Sequence, residues 1–275
     1  YDFGGRRFHC WERRGHGSVN LKGAIQKSCD VYFYEIARRL GPERIAAEAR
    51  TFGLGISYEL GMTGGASGVV PNDDWKRRRF NEPWYDGETL NYGIGQGYLT
   101  VSPLQLAVMT ARLARTDGVA VMPRMVGVGD AVPQNPQFGA MPDAAIMQQL
   151  REGMFAVTSE TGGTALRAGD INFNGYRMAG KTGTAQVRVI SAAERVTGVI
   201  DNADLPRRLR DHGLFVGFAP YDNPKYAVAV VVEHGGGSSS AYPIARDLMH
   251  EAFVRDSGRA ASYQIASNAT DTEAI

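Results

Sequence analysis

Ala179-Gly180-Lys181-Thr182-Gly183-Thr184-Ala185 decides how this chain is read. Glycine weakens a strand interior, so two glycines flanking Lys-Thr need a compensating reason. One reason is the close approach of a second backbone. An extended peptide laid along the strand edge needs the space that Gly183 leaves, and Lys181 with the Thr182 hydroxyl offers a cation and a donor to a carboxylate at the peptide's end. The other reading is a surface lysine in a β-bulge. A chance Lys-Thr-Gly arises in roughly one chain in twenty of this length and composition, so the tripeptide needs company.

Outward from it, residues 176–187, 213–220 and 226–234 read as strands. The last two are joined by Tyr221-Asp222-Asn223-Pro224, a connection short enough for antiparallel pairing. Residues 242–254 form a predicted closing helix with Ile244, Leu248, Met249 and Phe253 on one side, and 257–275 is expected to fray as a polar, disordered tail. Upstream the period is helical. Asn20 caps a helix carrying Leu21, Ala24 and Ile25; a second pattern through Tyr32, Ile36 and Leu40 stops at Gly41; Pro42 opens a third, over 43–50. Loops follow at Gly53, Gly55, Gly61, Gly64, Gly65 and Gly68, then Ser102-Pro103 opens a helix over 104–115 and Pro142-Asp143 another to about Val157. Helices first, then strands, then a helix give an α+β class with an antiparallel sheet flanked by helices. No internal repeat divides it, so residues 1–256 are expected to form one domain.

The 275 residues are 43% apolar and 21% charged, enough apolar mass for a packed core. A formal charge of +1 provides no field to hold a polyanion, which argues against nucleic acid as a partner. The basic runs 76–79 and 207–210 read as solvated faces, with phosphate or anionic lipid as the other use. The longest strongly apolar run, 226–232, falls far short of the roughly twenty residues of a membrane-spanning helix. There is no signal peptide, and a start at Tyr1-Asp2-Phe3 reads as a cut inside a longer protein.

A second chemical signal is Ser28-Cys29-Asp30, at the junction of two predicted helices. A hydroxyl and a carboxylate two positions apart can take part in proton shuttling with a lysine; in isolation, plain N-capping of the following helix by Ser28 or Asp30 is the favoured reading. Taken together, Ser28-x-Asp30 and Lys181-Thr182-Gly183 resemble the second and third motifs of the penicillin-recognising serine enzymes, whose first motif is Ser-x-x-Lys. Gly15-His16-Gly17, Pro83-Trp84-Tyr85-Asp86-Gly87-Glu88-Thr89, Gly93-Ile94-Gly95-Gln96-Gly97-Tyr98 and Leu209-Arg210-Asp211-His212 extend the likeness to the elongation-type, class B penicillin-binding proteins, over about residues 1–255.

The resemblance implies a truncated penicillin-recognising fold and a serine-type D,D-transpeptidase that cross-links peptidoglycan stem peptides during cell-wall elongation and is captured by β-lactams. By position, Ser28 would join the proton relay with Asp30, Lys181, Thr182 and Gly183 would bind the terminal carboxylate end, and the Thr184 N–H would be an oxyanion donor. It also implies a periplasmic domain anchored in the bacterial inner membrane by an N-terminal helix outside these residues, and partners among SEDS-type glycosyltransferases and other elongation proteins. Two departures stand out. No serine here has a lysine three positions later, so the nucleophile is expected upstream and this chain alone is expected to be inactive. Asp30 stands where many relatives carry Asn, and an ionised Asp accepts without donating.

Cys10, His16 and Cys29 are spaced Cys-x5-His-x12-Cys, a good ligand set for zinc, which some members of this family hold beside the site from matching positions. Asp2, His9 or an upstream residue would complete it; a Cys10–Cys29 disulfide or two inert thiols are the alternatives. The competing readings of the whole chain are a non-catalytic ligand-binding module of the same fold and a serine β-lactamase.

Overall fold

A computed structural model describes residues 1–58, 60, 65–125, 139–191, 194 and 197–272, with side chains as far as residue 258. Gly61 and Gly64 lie outside the described residues. A short antiparallel hairpin, β1 (Asp2–Phe3) and β2 (Arg6–Arg7), leads into six helices: α1 (Leu21–Lys27), α2 (Asp30–Thr51), α3 (Asp73–Phe80), α4 (Asp86–Gly93), α5 (Pro103–Ala114) and α6 (Ala144–Ser159). Then come β3 (Ala179–Ala185), β4 (His212–Ala219), β5 (Tyr226–Val232) and α7 (Tyr242–Thr272). This is the expected α+β order. No helix among the described residues is long and apolar enough to cross a membrane.

Local chemistry sets the helix ends. Asn20 accepts from the Gly23 N–H, Asp143 from Ile146, and Ser102 with Gln105 closes a capping box ahead of Pro103. The predicted stop at Gly41 appears as a kink within α2, where φ 76° and Pro42 break the helical path.

The sheet runs β3-β4-β5, all antiparallel, with Lys181 opposite Val216 and Gly183 opposite Leu214. β3 is therefore an edge. Its two glycines have different reasons. A Cβ on Gly180 would lie 2.2 Å from Phe215 Cζ, so β4 demands that glycine, whereas at Gly183 it would meet only Leu214 Cβ at 3.3 Å. The main core lies between the sheet, α1, α6 and α7, around Ile25, Val157, Met178, Phe215 and Met249. Thr158 of α6 donates to the Met178 carbonyl at 2.6 Å, clamping α6 to the approach of β3.

Three expectations need correction. The buried stripe of α7 is Ala245, Met249 and Phe253, continued at the same four-residue spacing by Ala241 just before the helix, while Ile244 (44% exposed) and Leu248 (51%) face outward. The two alanines bring the helix close to the sheet, which an eye drawn to large apolar residues misses. The helical backbone also continues through the expected frayed tail to Thr272; the stretch after Gly258 holds neither proline nor glycine to stop it. Finally, Lys76 is no solvated cation: it is 1% exposed, donates to both Glu88 oxygens at 2.6 and 2.7 Å, and sits 4.0 Å from the Tyr85 ring centre. Burial of that charge is tolerated because the carboxylate and ring replace water.

Candidate active site

α1 ends at Ser28 and α2 begins at Asp30, so the Ser-Cys-Asp triplet occupies the break between two helices. Ser28 has φ 53° and ψ 55°, a left-handed backbone that costs a non-glycine residue about 1–2 kcal/mol. Glycine is the usual residue at such a helix end. Serine there aims its hydroxyl at β3: Lys181 Nζ donates to Ser28 Oγ at 2.8 Å, bridging 153 positions of sequence. The same Nζ donates to the Thr182 carbonyl at 2.9 Å. The structure thus brings together Ser28, Asp30 and Lys181, as read from the sequence.

Burial lowers the Lys181 pKa from 10.5 to about 8, with the Asp30 charge opposing the shift. Burial raises the Asp30 carboxyl above its usual range, against the Trp11 N–H that it accepts at 2.9 Å, a contact with Cys10, and the charge of Lys181. Charged Lys181 therefore costs stability below about pH 8, and that cost disappears as pH rises toward 10.5, where the unfolded chain also loses its proton. Ligand binding has the opposite dependence. Affinity for a carboxylate-bearing ligand is expected to fall as pH rises through about 8 rather than through 10.5, which a titration of binding between pH 6 and 10 would check.

Thr182 is brought to the site with its hydroxyl turned inward, 2.7 Å from Thr164 Oγ1, and is 8% exposed. One hydroxyl of that pair donates and the other keeps a proton for a further acceptor. Gly183 and Thr184 follow on the open edge of β3.

The ligand atoms of Cys10, His16 and Cys29 all lie within 4.8 Å of one another, the one such group among the described residues. Cys10 Sγ is 3.5 Å from His16 Nδ1. Bonds of about 2.3 Å to sulfur and 2.0 Å to nitrogen at a tetrahedral angle separate two ligand atoms by about 3.5 Å, so the donor set fits zinc. Both cysteines are free thiols here, and burial raises the Cys10 pKa. Asp2 pairs instead with Arg7 at 2.8 Å, and neither Asp2 nor His9 joins the group.

Sequence reasoning missed three residues. Trp11 donates its indole N–H to the carbonyls of Lys27 and Ser28, at 3.1 and 2.9 Å, and its backbone N–H to Asp30, so it straps the cysteine segment onto the triplet. Thr164 holds Thr182. Gln96 Nε2 donates to the Thr184 carbonyl at 2.8 Å. Only Gln96 carried a local sign, its place between two glycines.

Comparison with known proteins agrees with this geometry. Residues 1–250 match the penicillin binding protein transpeptidase domain. The chain is 36% identical over 252 residues to the peptidoglycan D,D-transpeptidase MrdA of Haemophilus influenzae, covering 89% of this chain and 38% of that protein. Its identity to the protein of the same name from Acinetobacter baumannii is 37% over 250 residues, 88% of this chain and 36% of that one. The chain thus spans less than two fifths of the length of these relatives. Among solved structures, Pseudomonas aeruginosa penicillin-binding protein 2 in complex with WCK 5153 superposes with a TM-score of 0.74 at 39% identity, over 90% of this chain and 51% of that one. The Helicobacter pylori penicillin-binding protein 2 in complex with MreC gives 0.73 at 31% identity, over 87% and 41%. With a family match running from Tyr1 to His250 and the Ser28–Lys181 contact inside it, the chain belongs to the penicillin binding protein transpeptidase domain family.

Proposed function

We propose that these residues form the Lys-Thr-Gly half of a peptidoglycan D,D-transpeptidase that cross-links stem peptides during cell-wall elongation. The observation that carries the reading is the 2.8 Å bond from Lys181 to Ser28, which joins two motifs with a shared chemical purpose. The nucleophile is a serine of a Ser-x-x-Lys that none of the 275 residues supplies. It attacks the carbonyl of the penultimate D-alanine, the last D-alanine leaves with a proton, and the acyl group passes to an amine of a neighbouring strand, which gives up its own proton. Lys181 and Ser28 pass those protons along one hydrogen bond, and Asp30 balances the lysine's charge. The Lys181 ammonium, Thr182 and Gly183 receive the terminal carboxylate, and the Thr184 N–H faces the oxygen that becomes negative in the tetrahedral intermediate. A β-lactam presents the same carboxylate and acyl carbonyl.

Cys10, His16 and Cys29 would hold a structural zinc, which would tie the segment before α1 to the start of α2 beside Ser28. By analogy with the Helicobacter pylori complex with MreC, and with a structure described as coordinating polymerization and crosslinking in a peptidoglycan synthase complex, the partners are elongation proteins and a membrane glycosyltransferase. The site then faces the periplasm, on a protein held at the inner membrane.

The test is labelling by a fluorescent penicillin. Label is expected on the gene product that includes a Ser-x-x-Lys and not on the 275-residue chain. A covalent adduct on the 275-residue chain defeats the account of the nucleophile. A gene product that binds no penicillin supports instead a non-catalytic module of the same fold.

A further inference from the structure

The outer edge of β3 offers unequal halves of the hydrogen-bonding pattern. In an antiparallel ladder, alternate residues turn both N–H and C=O toward the partner strand and those between turn both away. Two contacts fix the parity here. Met178 sends its N–H to the Gly169 carbonyl at 2.8 Å and takes the Thr158 hydroxyl on its C=O, away from β4, whereas the Arg177 carbonyl accepts from Tyr221, just beyond β4. Thr182 and Thr184 share the parity of Met178, so their N–H and C=O groups lie on the open edge. Both carbonyls are already engaged by this chain's own side chains: Thr182 by Lys181 at 2.9 Å, Thr184 by Gln96 at 2.8 Å.

A peptide adding to this edge opposite Thr184 exchanges two bonds. Its C=O takes the Thr184 N–H, and its N–H seeks the Thr184 C=O. The first partner is ready and the second is occupied. We propose that Gln96 is a displaceable, specificity-determining residue, whose side-chain amide covers the Thr184 carbonyl in the ligand-free chain and yields it to the amide N–H of an incoming stem peptide or β-lactam. This rests on the reading of the β3 edge as the ligand-binding edge.

The loop that carries Gln96 suits such an exchange. Gly95 and Gly97 flank it at φ 76° and 80°, and the backbone is pinned by bonds from the Gly95 and Gln96 N–H groups to the Tyr92 and Asn91 carbonyls, both 2.9 Å. Space around the loop is open: a Cβ on Gly95 would meet nothing within 4 Å, and one on Gly97 only Asn91 Cβ at 3.8 Å. Gln96 makes its bond to Thr184 on the exposed side of the strand, so its side chain can swing while the pinned backbone stays. Covering the carbonyls also makes the empty edge a poor template for another chain's strand, which would need those acceptors. A ligand without an N–H at the matching place gains nothing from displacing Gln96.

The experiment titrates the isotope-labelled 275-residue chain with benzylpenicillin and with its analogue N-methylated at the side-chain amide, following the backbone amide signals of Thr182 and Thr184. Gln96→Met keeps the side chain's length without a donor, and Gln96→Ala checks that an added apolar contact is not responsible. Both variants are expected to bind benzylpenicillin about three- to tenfold more tightly than the parent chain, the worth of one hydrogen bond, with the N-methyl analogue unchanged. Parallel changes for the two ligands, or weaker benzylpenicillin binding, overturn the proposal. If the parent chain binds neither ligand, the β3-edge reading falls and this inference with it; if it binds and the pair fails to diverge, only the role of Gln96 falls.

Discussion

Replacement of Lys181 by alanine is expected to lower acylation by penicillin at least about 10²-fold in a protein carrying the nucleophile, with the thermal transition nearly unmoved. Two functions go with one ammonium: a charge-assisted contact to the ligand's carboxylate, and the hydrogen bond that keeps Ser28 in line for proton transfer. Stability responds differently. The pKa of about 8 means that burial penalises the charged lysine in the folded state, so its removal returns a desolvation cost while giving up bonds to Ser28 and to the Thr182 carbonyl. These effects oppose each other, and of the two lost partners Ser28 is only partly buried, so water can replace the lysine at its hydroxyl. Lys181→Met separates charge from packing, because it keeps the apolar stem. Stopped-flow acylation and a thermal melt on the same preparations read the two effects apart. A melt that collapses together with acylation in both variants would make Lys181 a structural residue and remove the basis for the proposed chemistry. Lys181→Arg should not rescue, since a guanidinium keeps its proton at every working pH and so cannot pass one to or from Ser28, and its larger planar head does not fit where a single ammonium nitrogen sits.

Most of the element order was legible because it rests on neighbours in sequence, although the β1–β2 hairpin, α3 and α4 went unread. Ser102-Pro103 with Gln105, Asn20 with Gly23, and Asp143 with Ile146 announce helix starts within four residues, and each is found. The Lys-Thr-Gly strand was legible for the same reason, through a glycine pattern that ordinary strands avoid. Contacts at long range were not. The reach of Gln96 to Thr184 and the strap of Trp11 over Ser28 depend on loop paths that no periodicity records. Lys76 was misread because its charge is settled by Glu88, twelve positions on, and by rings that fold over it. The face of α7 was misread because Ala241 and Ala245 contribute little to an apolar pattern yet are wholly buried. Ser28, Asp30 and Lys181 form an intermediate case. Their pairing came from likeness to a family and not from the physics of either segment, and the 2.8 Å bond supplies the physical reason for it.

If Cys10, His16 and Cys29 hold the proposed zinc, its removal is expected to lower the thermal transition by about 10 °C and to weaken penicillin capture together with it. At free zinc a thousandfold above its dissociation constant, binding adds about 4 kcal/mol to the folded state, and for a domain of this size each kcal/mol moves the transition by roughly 2–4 °C. The coupling to the site runs through one residue. Cys29 is buried, stands at the N-cap of α2, and lies between Ser28 and Asp30 in the chain, so a bond at its sulfur restrains both neighbours. The segment that carries Cys10 and His16 is in turn the one whose Trp11 holds the Ser28 carbonyl. Protein purified without added metal or chelator should hold about one zinc per chain. Cys29→Ser should lose it, because a hydroxyl is a far weaker zinc ligand than a thiolate, and Cys10→Ser should do the same from the other side of the group. Intact-mass measurement supplies the opposing result: a chain two hydrogens light, with no metal, would mean that Cys10 and Cys29 form a disulfide. In that case a reductant, and not a chelator, would loosen Ser28 from Lys181.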